Sequence, residues 1–472
     1  MTTAPASRSG RIDEAASHSS PPMDEPDLRV HEWQSALLET VVTEATAGDW
    51  GEPAPLDKHI ECRVLRGTDF HLVATGYFDG APIRYIRESS LAARRLVPDD
   101  SLVELSGGSE KQPTGRLLHV SSQILGRSHH PVLYSNFVKR IRIDIAKLEP
   151  AFFSLYWSFL YGLGKTRTYQ KRTTGIWSFK LADFLRSELT VLPPLYEQRA
   201  IVVVVRTVQR AKEACERVIT ATRAFKQSLL HHLFTYGPVP FDQVHRVPLK
   251  EVDTGLAPKR WDLTTLGALI ADGPQNGVYK PQSDYGDGTP IVRIDAFPNE
   301  GGIVTSAAKR VGLNADERAT YSLRVGDLLI NRVNSLSHLG KTALVGPMRE
   351  QMVFESNMMR LSLDSSKVLP EFVFRFLCCP GPRDMLRSAS KRAVAQSSVN
   401  QGDVRSLTVP LPLISEQRAI VASLAAMDLK LSAEEARSAA LDRLFHSLLH
   451  NLMTGQVRVN HLVEQLDAEA MR

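Results

Sequence analysis

The chain contains one short sequence twice, and this repeat constrains its fold more than any other feature. The run Glu-Gln-Arg-Ala-Ile-Val occupies residues 197–202 and recurs at residues 416–421. At the same separation, Ser-Leu-Leu-His stands at residues 228–231 and again at residues 447–450. With 472 residues, the chain is long enough for two or three domains. The repeat therefore predicts a tandem duplication, in which each half is a globular unit followed by a helical segment.

The repeated segments are predicted to form two long helices. Prolines precede both copies, and after the Glu-Gln-Arg run no Pro or Gly occurs until Gly237 in the first copy and Gly455 in the second. About 37 uninterrupted residues give a helix of roughly 55 Å at ~1.5 Å per residue. Apolar residues recur at every third or fourth position, so each helix has an apolar stripe that another helix must cover.

We expect the two helices to pair antiparallel as a coiled coil that separates the globular units. Inserting or deleting helix residues would then change the distance between the units and leave the units themselves intact. The alternative is two unrelated amphipathic helices, each packed on its own domain.

The expected fold class is α+β, with two pseudo-symmetric globular units that each combine a small β-sheet with helices. Strands are predicted from β-rich runs at residues 102–105, 137–143, 290–294, 327–330 and 358–363. One helix per unit is expected, at residues 151–161 and 370–377.

Composition sets the predicted boundaries. Residues 1–26 are rich in Ser, Ala, Pro and charge and lack the apolar core of a signal peptide, so they are predicted to be a disordered tail. Pro, Gly and polar residues indicate a linker at residues 237–258. The other predicted segments are a first globular unit (27–191), a first helical region (192–236), a second globular unit (259–410), a second helical region (411–456) and a C-terminal tail (457–472).

The overall charge is compatible with a polyanionic partner. The net charge is +5 and the isoelectric point is about 8.9, a mild excess that many proteins without such a partner also reach. The cysteines, at positions 62, 215, 378 and 379, lack the spacing of a zinc site and are expected to be reduced thiols of a cytoplasmic protein. No run approaches the roughly 20 apolar residues that span a bilayer.

The sequence lacks the motifs of the catalysts that act on nucleic acids. Gly-Lys-Thr at residues 164–166 has no upstream glycine of a P-loop, and no Gly-x-Gly-x-x-Gly opens a βαβ unit. The Asn-Pro-Pro-aromatic motif of adenine methyltransferases does not occur. The adjacent histidines at 129–130 and 231–232 have no Cys or carboxylate partners at ligand spacing. We therefore expect no catalytic and no metal site.

Polar loops carry the candidate nucleic-acid contacts. They lie at residues 106–116 and 164–172 in the first half, and at 331–341 and 388–398 in the second. Any one such loop is more often a solvated surface, but recurrence in both halves favours binding. Lys and Arg neutralise phosphates, while Arg, Asn, Gln and Ser can read base edges. The candidate DNA-binding residues are Ser109, Lys111, Gln112, Arg116, Arg127, Lys165, Arg167, Lys171, Arg172, Lys280, Asn331, Arg332, Asn334, Lys341, Lys391, Arg392 and Gln396.

Two motifs resemble a known family. The proline-rich entry followed by Glu-Gln-Arg-x-Ile, at residues 192–201 and 411–420, resembles the conserved regions of the specificity subunits of Type I restriction–modification systems. The Ser-Gly-Gly-Ser stretch in residues 106–116 is similar to that family's target recognition domains. The first globular unit matches the family less clearly than the second.

The resemblance implies what each part of the chain does. Each globular unit would be a target recognition domain that reads one half of a split DNA site. The paired helices would set the distance between the halves and dock two methyltransferase (modification) subunits. The docking residues that the resemblance implies are Pro193, Glu197, Gln198, Arg199, Pro412, Glu416, Gln417 and Arg418.

The resemblance also implies a subunit that is not itself an enzyme. Its partners would be double-stranded DNA, the modification subunits and restriction/translocase subunits, with no membrane involved. S-adenosylmethionine, Mg and ATP would be bound by those subunits, and this chain would bind no cofactor. Two alternatives stay open: an adaptor whose globular units read no DNA, and the remnant of a fused restriction–methylation enzyme.

Overall fold

The computed structural model describes residues 33–173, 176–296, 303, 308–335, 338–392 and 397–459. These residues divide into two compact units. Unit 1 combines the described residues up to Glu213 with those from Ala439 onward, and unit 2 runs from Ala214 to Ser438. The predicted N-terminal tail lies outside the described residues, as does the predicted C-terminal tail beyond residue 459.

The first part of the chain forms twelve described strands and seven described helices. The strands are β1 (Gln34–Leu37), β2 (Val42–Ala47), β3 (His59–Leu65), β4 (Ile83–Arg87), β5 (Ser101–Glu104), β6 (Ser106–Gly107), β7 (Leu117–His119), β8 (Val132–Tyr134), β9 (Val138–Ile143), β10 (Gln170–Thr173), β11 (Ile176–Phe179) and β12 (Leu189–Leu192). The helices are α1 (Phe70–Ala74), α2 (Glu88–Arg94), α3 (Ser122–Leu125), α4 (Pro150–Gly162), α5 (Lys165–Thr168), α6 (Leu181–Ser187) and α7 (Leu195–Tyr236).

The main sheet of unit 1 has the strand order β2-β9-β5-β7, with antiparallel pairing throughout. A second sheet has the order β4-β3-β8, in which β3 and β8 are parallel. A third has the order β10-β11-β6, and β1 pairs with β12. Helix α4 supplies much of the core, because Phe152, Phe153, Tyr156 and Trp157 are all buried in one cluster.

The second part of the chain forms fourteen described strands and six described helices. Its strands are β13 (Leu249–Val252), β14 (Gly255–Pro258), β15 (Asp262–Thr265), β16 (Ile270–Asn276), β17 (Tyr285–Val292), β18 (Lys309–Val311), β19 (Leu328–Asn331), β20 (Val333–Asn334), β21 (Thr342–Leu344), β22 (Val353–Phe354), β23 (Met358–Leu363), β24 (Lys391–Arg392), β25 (Ser397–Ser398) and β26 (Thr408–Leu411). Its helices are α8 (Leu266–Leu269), α9 (Ala315–Tyr321), α10 (Pro370–Leu377), α11 (Pro380–Ala389), α12 (Gln401–Ser406) and α13 (Ile414–Met453).

Four sheets of unit 2 match the four described sheets of unit 1, and unit 2 has the hairpin β13–β14 in addition. The main sheet is β16-β23-β19-β21, and the sheet β18-β17-β22 again contains one parallel pair, β17 with β22. The third sheet is β20-β25-β24, and β15 pairs with β26. The predicted duplication and the α+β fold class are thereby confirmed.

Two features of the units go beyond what the sequence predicts. Residues 237–258, the predicted linker, contain the hairpin β13–β14, in which Leu249 pairs with Pro258, and they lie within unit 2. Each unit also contains several short helices besides the one expected, because segments of four to seven residues carry too little periodicity to be recognised. The predicted helix at 370–377 has the bounds of α10, and the predicted strand at 358–363 has those of β23.

The long helices α7 and α13 pair antiparallel within each unit, as predicted. In unit 1, Lys212 near the middle of α7 forms an ion pair with Asp442 of α13. In unit 2, the Sγ atom of Cys215 donates to the carbonyl of Glu434 at 3.2 Å, and further along α7 Lys226 reaches Asp428. Rising numbers on α7 thus meet falling numbers on α13, as an antiparallel coiled coil requires.

Candidate nucleic-acid interface

The sheet β10-β11-β6 of unit 1 brings the two predicted loops of that unit together. Strand β6 opens the loop of residues 106–116, and strand β10 closes the loop of residues 164–172. Both pair with β11: Ser178 lies between Ser106 and Lys171, and Trp177 lies between Gly107 and Arg172. Two segments that are distant in sequence therefore form one surface.

The sheet β20-β25-β24 of unit 2 has the same register. Ser398 lies between Val333 and Lys391, and Ser397 lies between Asn334 and Arg392. Lys391 thus takes the position of Lys171, and Arg392 takes that of Arg172. We call these two sheets the Lys-Arg sheets. The sequence identifies all four cations as candidates, and strand register shows that they are equivalent.

The side chains of the unit 1 Lys-Arg sheet are suited to binding a polyanion. Lys171 and Arg172 are exposed, and neither has an ion-pair partner among the described residues. The guanidinium of Arg172 lies 5.7 Å from the centroid of the Trp177 ring. An indole beside an unpaired guanidinium offers a face for stacking and a charge for phosphate. Of unit 2's counterpart only the backbone is described, since the side chains of Asn334, Lys391 and Arg392 and all of Gln396 lie outside the described residues.

Arg116, a predicted contact, has a structural partner. Its guanidinium donates to both carboxylate oxygens of Glu104, at 2.9 and 2.7 Å, and Glu104 is 1% exposed. These charge-assisted hydrogen bonds raise the pKa of Arg116 and close the base of the loop that begins at β6. Ser109 and Gln112 form the turn at the loop's tip, which leaves Lys111 exposed.

The equivalent pair in unit 2 is Asn331 and Lys341, joined through a backbone hydrogen bond of 2.8 Å. Both side chains are buried, and burial lowers the pKa of Lys341, with the nearby charge of Arg383 adding to the effect. The neutral Asn331 thus stands where unit 1 has the Glu104 carboxylate.

The other predicted contacts are distributed over several surfaces. Arg167 is exposed and Lys165 is half-buried. The guanidinium of Arg127 donates to the carbonyl of Thr75, and that of Arg332 to the carbonyl of Ser356. Lys280 forms ion pairs with Glu317 and Asp284.

Two tyrosines of unit 1, Tyr161 and Tyr169, donate their hydroxyls within the protein. Tyr161 donates to the carbonyl of Pro113 at 2.8 Å, and Tyr169 to Glu188 at 2.8 Å. Both therefore help to position the loops of unit 1.

The glutamine of the repeated motif makes internal hydrogen bonds in both copies. The Oε1 atom of Gln198 accepts from the Glu149 amide at 2.8 Å, and its Nε2 donates to the carbonyls of Pro193 and Lys147. Gln417 repeats this arrangement with the Leu369 amide and the Pro412 carbonyl. Each glutamine is fully buried and fixes the first turn of a long helix to the segment that opens α4 or α10.

The glutamates of the motif are also occupied within the protein. Glu197 is fully buried and accepts from the Trp33 indole and from the Arg458 guanidinium. Glu416 forms an ion pair with Arg260. Pro193 and Pro412 are buried, whereas Arg199 and Arg418 are exposed. Among the predicted docking residues, the two arginines present the most accessible side chains.

The described part of the chain contains free thiols but no clustered metal ligands. There, no group of three or more His, Cys, Asp or Glu side chains is arranged to hold a metal ion. The four cysteines are free thiols, and burial raises the pKa of Cys62 to about 11. Among the described helices, none is long and apolar enough to cross a membrane.

Comparison with known proteins gives one consistent family. Residues 272–443 match the family described as "Type I restriction modification DNA specificity domain". The putative type I restriction enzyme MjaX specificity subunit of Methanocaldococcus jannaschii is 28% identical over 179 residues, which cover 38% of this chain and 42% of that protein. The StySPI specificity subunit of Salmonella potsdam is 32% identical over 162 residues, covering 34% and 35%. These two matches thus span less than half of either relative.

A third relative and two solved structures extend the similarity along the chain. The EcoKI specificity subunit of Escherichia coli K12 is 23% identical over 366 residues, 74% of this chain and 72% of that protein. The S subunit from M. genitalium shares the fold at a TM-score of 0.52 and 13% identity, covering 90% of this chain and 98% of its own. A chain from a structure of a type I R-M system gives a TM-score of 0.54 at 17% identity, covering 90% and 98%. The resemblance indicated by the repeated motif is confirmed, and the family match falls in the second half, where the sequence fits the family better.

Proposed function

We propose that this chain, whose residues 272–443 carry a Type I restriction modification DNA specificity domain, is the DNA-reading specificity subunit of a Type I restriction–modification system. The similarity to named specificity subunits supports this role, which is recognition and not catalysis. The structural observation that carries the proposal is the pair of Lys-Arg sheets, which place the same two cations at the same register positions in both units.

Each unit would read one half of a split DNA site. Lys171 and Arg172 in unit 1, and Lys391 and Arg392 in unit 2, would neutralise phosphates and give an affinity that falls as salt rises. Arginine and the polar side chains of the adjoining loops would distinguish bases in the major groove, where every base pair presents a distinct pattern of donors and acceptors. Because the loops of the two units differ in sequence, the two half-sites would differ as well.

The chain would act with partner subunits. Modification subunits would bind S-adenosylmethionine and methylate adenine, and restriction/translocase subunits would use Mg and ATP, while this chain would bind no cofactor. The exposed Arg199 and Arg418, one turn into each long helix, are the motif residues available for docking. The buried Gln198 and Gln417 would contribute indirectly, by fixing the first turn that presents those arginines.

Adenine methylation of the host genome tests the proposal directly. Sequencing of methylated adenines should find a split motif that is lost when the gene is deleted. Genomic methylation that is identical with and without the gene would contradict the proposed function.

Variants in the Lys-Arg sheets test the assignment of half-sites. Lys171→Gln with Arg172→Gln should reduce the affinity of the complex for its site and lower the salt dependence, by ~0.9 in slope for each phosphate that is no longer neutralised. Removal of a bidentate hydrogen-bonded pair with a base would add a ~5- to 150-fold effect, from ~1–3 kcal/mol per pair. The equivalent pair of substitutions at Lys391 and Arg392 should do the same through the other half-site.

Matched controls remove an exposed arginine outside the Lys-Arg sheets. Arg87 lies exposed on strand β4 of unit 1, and Arg349 is exposed in unit 2. Arg87→Gln and Arg349→Gln should leave both affinity and salt slope unchanged. Equal effects in controls and test variants would assign the loss to overall charge and not to the sheets.

A further inference from the structure

Unit 2 contains a second concentration of cations, outside its Lys-Arg sheet. A cavity of about 330 Å³ lies where α7, α10 and α11 face one another, and Leu424 of α13 completes its wall. Five cationic side chains line it: Arg223, Lys226, Arg375, Arg383 and Arg387. We call this cavity the arginine pocket.

Several cations of the arginine pocket form ion pairs with described carboxylates. Asp428 accepts from both Lys226 and Arg375, whose side chains are each 15% exposed, so one carboxylate serves two half-buried cations. Glu435 pairs with Arg223, and Asp384 pairs with Arg387. Five cations thus lie together at one cavity, and bringing like charges together costs free energy that an anion would recover.

Arg383 has the least support from the protein. It forms no ion pair with any described residue, and its buried Nε atom has no hydrogen-bond acceptor in the described part of the chain. The buried Nε of Arg375 lacks an acceptor as well. Both side chains line the cavity, where an anion would supply acceptors for these donors.

The repeat provides an internal comparison, because unit 1 has other residues at three of the positions that line the pocket. In the alignment set by the repeated motif, Asp442 stands where Arg223 stands, and Phe445 stands where Lys226 stands. Counted from the proline that opens α4 and α10, Leu155 takes the place of Arg375. Phe445 and Leu155 pack against the core of unit 1. The fold is therefore satisfied by apolar residues here, and helix packing does not account for the cations of unit 2.

The arginine pocket adjoins a loop that is a candidate for DNA contact. Arg383 lies beside Gly340, the residue before Lys341, in the loop that follows β19. The positive charge of Arg383 also acts on Lys341, whose pKa is lowered chiefly by burial. An anion in the pocket would thus lie next to the base of a recognition loop of unit 2.

We propose that the arginine pocket binds a phosphate group, and, resting on the proposed function, that this phosphate belongs to the DNA backbone beside the half-site read by unit 2. Arginine binds phosphate through two parallel hydrogen bonds, and the planar guanidinium is suited to this geometry. A backbone contact carries no sequence information, so the pocket would position unit 2 on the duplex without reading bases. Unit 1, which has Asp442, Phe445 and Leu155 at three of the equivalent positions, would not bind a phosphate in the same way.

The test compares Arg383→Gln with Lys430→Gln in the full-length chain. Lys430 is exposed on α13, so its substitution removes the same charge from unit 2 without touching the arginine pocket. Binding to a fluorescent duplex of ~30 base pairs, about three helical turns, is followed by anisotropy. Salt is varied between about 50 and 200 mM, and both a random sequence and the methylated genomic motif are used.

Removal of one contact with the DNA backbone has a defined signature. Arg383→Gln should lower the slope of log K against log salt by ~0.9, and should weaken binding to random and specific DNA by the same factor. Lys430→Gln should behave as wild type. Arg383→Lys, which keeps the charge, should recover most of the slope, and this recovery separates the absence of one phosphate interaction from misfolding.

A second arm identifies the source of the phosphate. Inorganic pyrophosphate should raise the melting temperature of the wild type and not that of Arg383→Gln. If this difference is found while the DNA slope is unchanged, the pocket takes a small phosphorylated ligand and not the backbone. If Arg383→Gln matches Lys430→Gln in both arms, the pocket is not a phosphate site. If Arg383→Gln loses a co-purifying modification subunit while both arms are unchanged, the pocket binds a carboxylate of that subunit and the inference is wrong.

The two proposals fail in different ways. A wild-type chain that binds no DNA, alone or with its modification subunits, contradicts the proposed function, while the pyrophosphate arm still tests the pocket. A wild type that binds its site, with no effect of Arg383→Gln in either arm, contradicts only the pocket.

Discussion

Replacing the buried glutamine of the repeated motif tests whether it fixes the long helix to its unit. Gln198→Leu keeps the size of the side chain and removes three hydrogen bonds, with the Glu149 amide and with the carbonyls of Lys147 and Pro193. A typical hydrogen bond contributes ~1 kcal/mol net, and a backbone group left buried without a partner costs ~1–3 kcal/mol. We therefore expect unit 1 to lose about 3 kcal/mol or more of stability.

The second copy supplies a graded comparison. Gln417 makes two such hydrogen bonds instead of three, so Gln417→Leu should destabilise unit 2 by about 2 kcal/mol. Gln209 is the matched control, because it is exposed on α7 and makes one long hydrogen bond with Glu213. Gln209→Leu should change stability by less than ~0.5 kcal/mol.

Hydrogen exchange of the Glu149 amide is the most direct assay, since it reports on the bond that Gln198 makes. A loss of about 3 kcal/mol corresponds to exchange that is roughly a hundredfold faster. Urea unfolding followed by tryptophan fluorescence gives the stability of the whole unit. If Gln198→Leu exchanged and unfolded like Gln209→Leu, the buried side chain of Gln198 would not stabilise the contact between α7 and the start of α4. The reasoning would then be wrong.

Three further predictions concern buried groups of unit 1. Glu104→Gln leaves Arg116 buried without its carboxylate and should cost about 3 kcal/mol, whereas Asp183→Asn at an exposed ion pair should cost under ~0.5 kcal/mol, both read from thermal unfolding. Burial lowers the pKa of His119 below its ordinary 6.5, so as the pH falls the unfolded chain binds a proton at this histidine before the folded chain does. The contribution of His119 to stability should therefore be complete above pH 6.5 and should fall below it. His119→Gln should flatten this pH dependence. With its pKa raised to about 11, Cys62 should react with a thiol reagent at pH 8 about a hundredfold more slowly than in urea, and equal rates would contradict its burial.

The architecture can be predicted because the repeat is visible in the chain itself. Identical residues at 197–202 and 416–421 place both long helices, and uninterrupted helical periodicity gives their length to within a few residues. Strand β23 is recognisable from its β-rich sequence and α10 from the proline at its first position. The hairpin β13–β14 escapes prediction because its Pro and Gly residues indicate turns whether or not short strands lie between them.

The roles of individual side chains are harder to predict, because they depend on contacts between distant segments. Arg116 looks like a phosphate ligand in sequence, and only the fold shows that Glu104 faces it. Gln198 belongs to a motif that suggests a docking surface, yet it is fully buried. The equivalence of Lys171 and Lys391 follows from strand register, which the differing sequences around these two residues do not reveal.

Unit 1 is built from two separate stretches of the chain, and this determines the order in which a newly made chain can fold. Unit 2 is one continuous stretch, whereas unit 1 needs Leu449 and Leu452 for its core and Arg458 for the buried carboxylate of Glu197. At ~5–20 residues per second, the ribosome takes roughly 10–50 s to reach those residues after it has made the first part of unit 1. The half that is synthesised first is therefore completed last, and its apolar helix face stays uncovered during that interval.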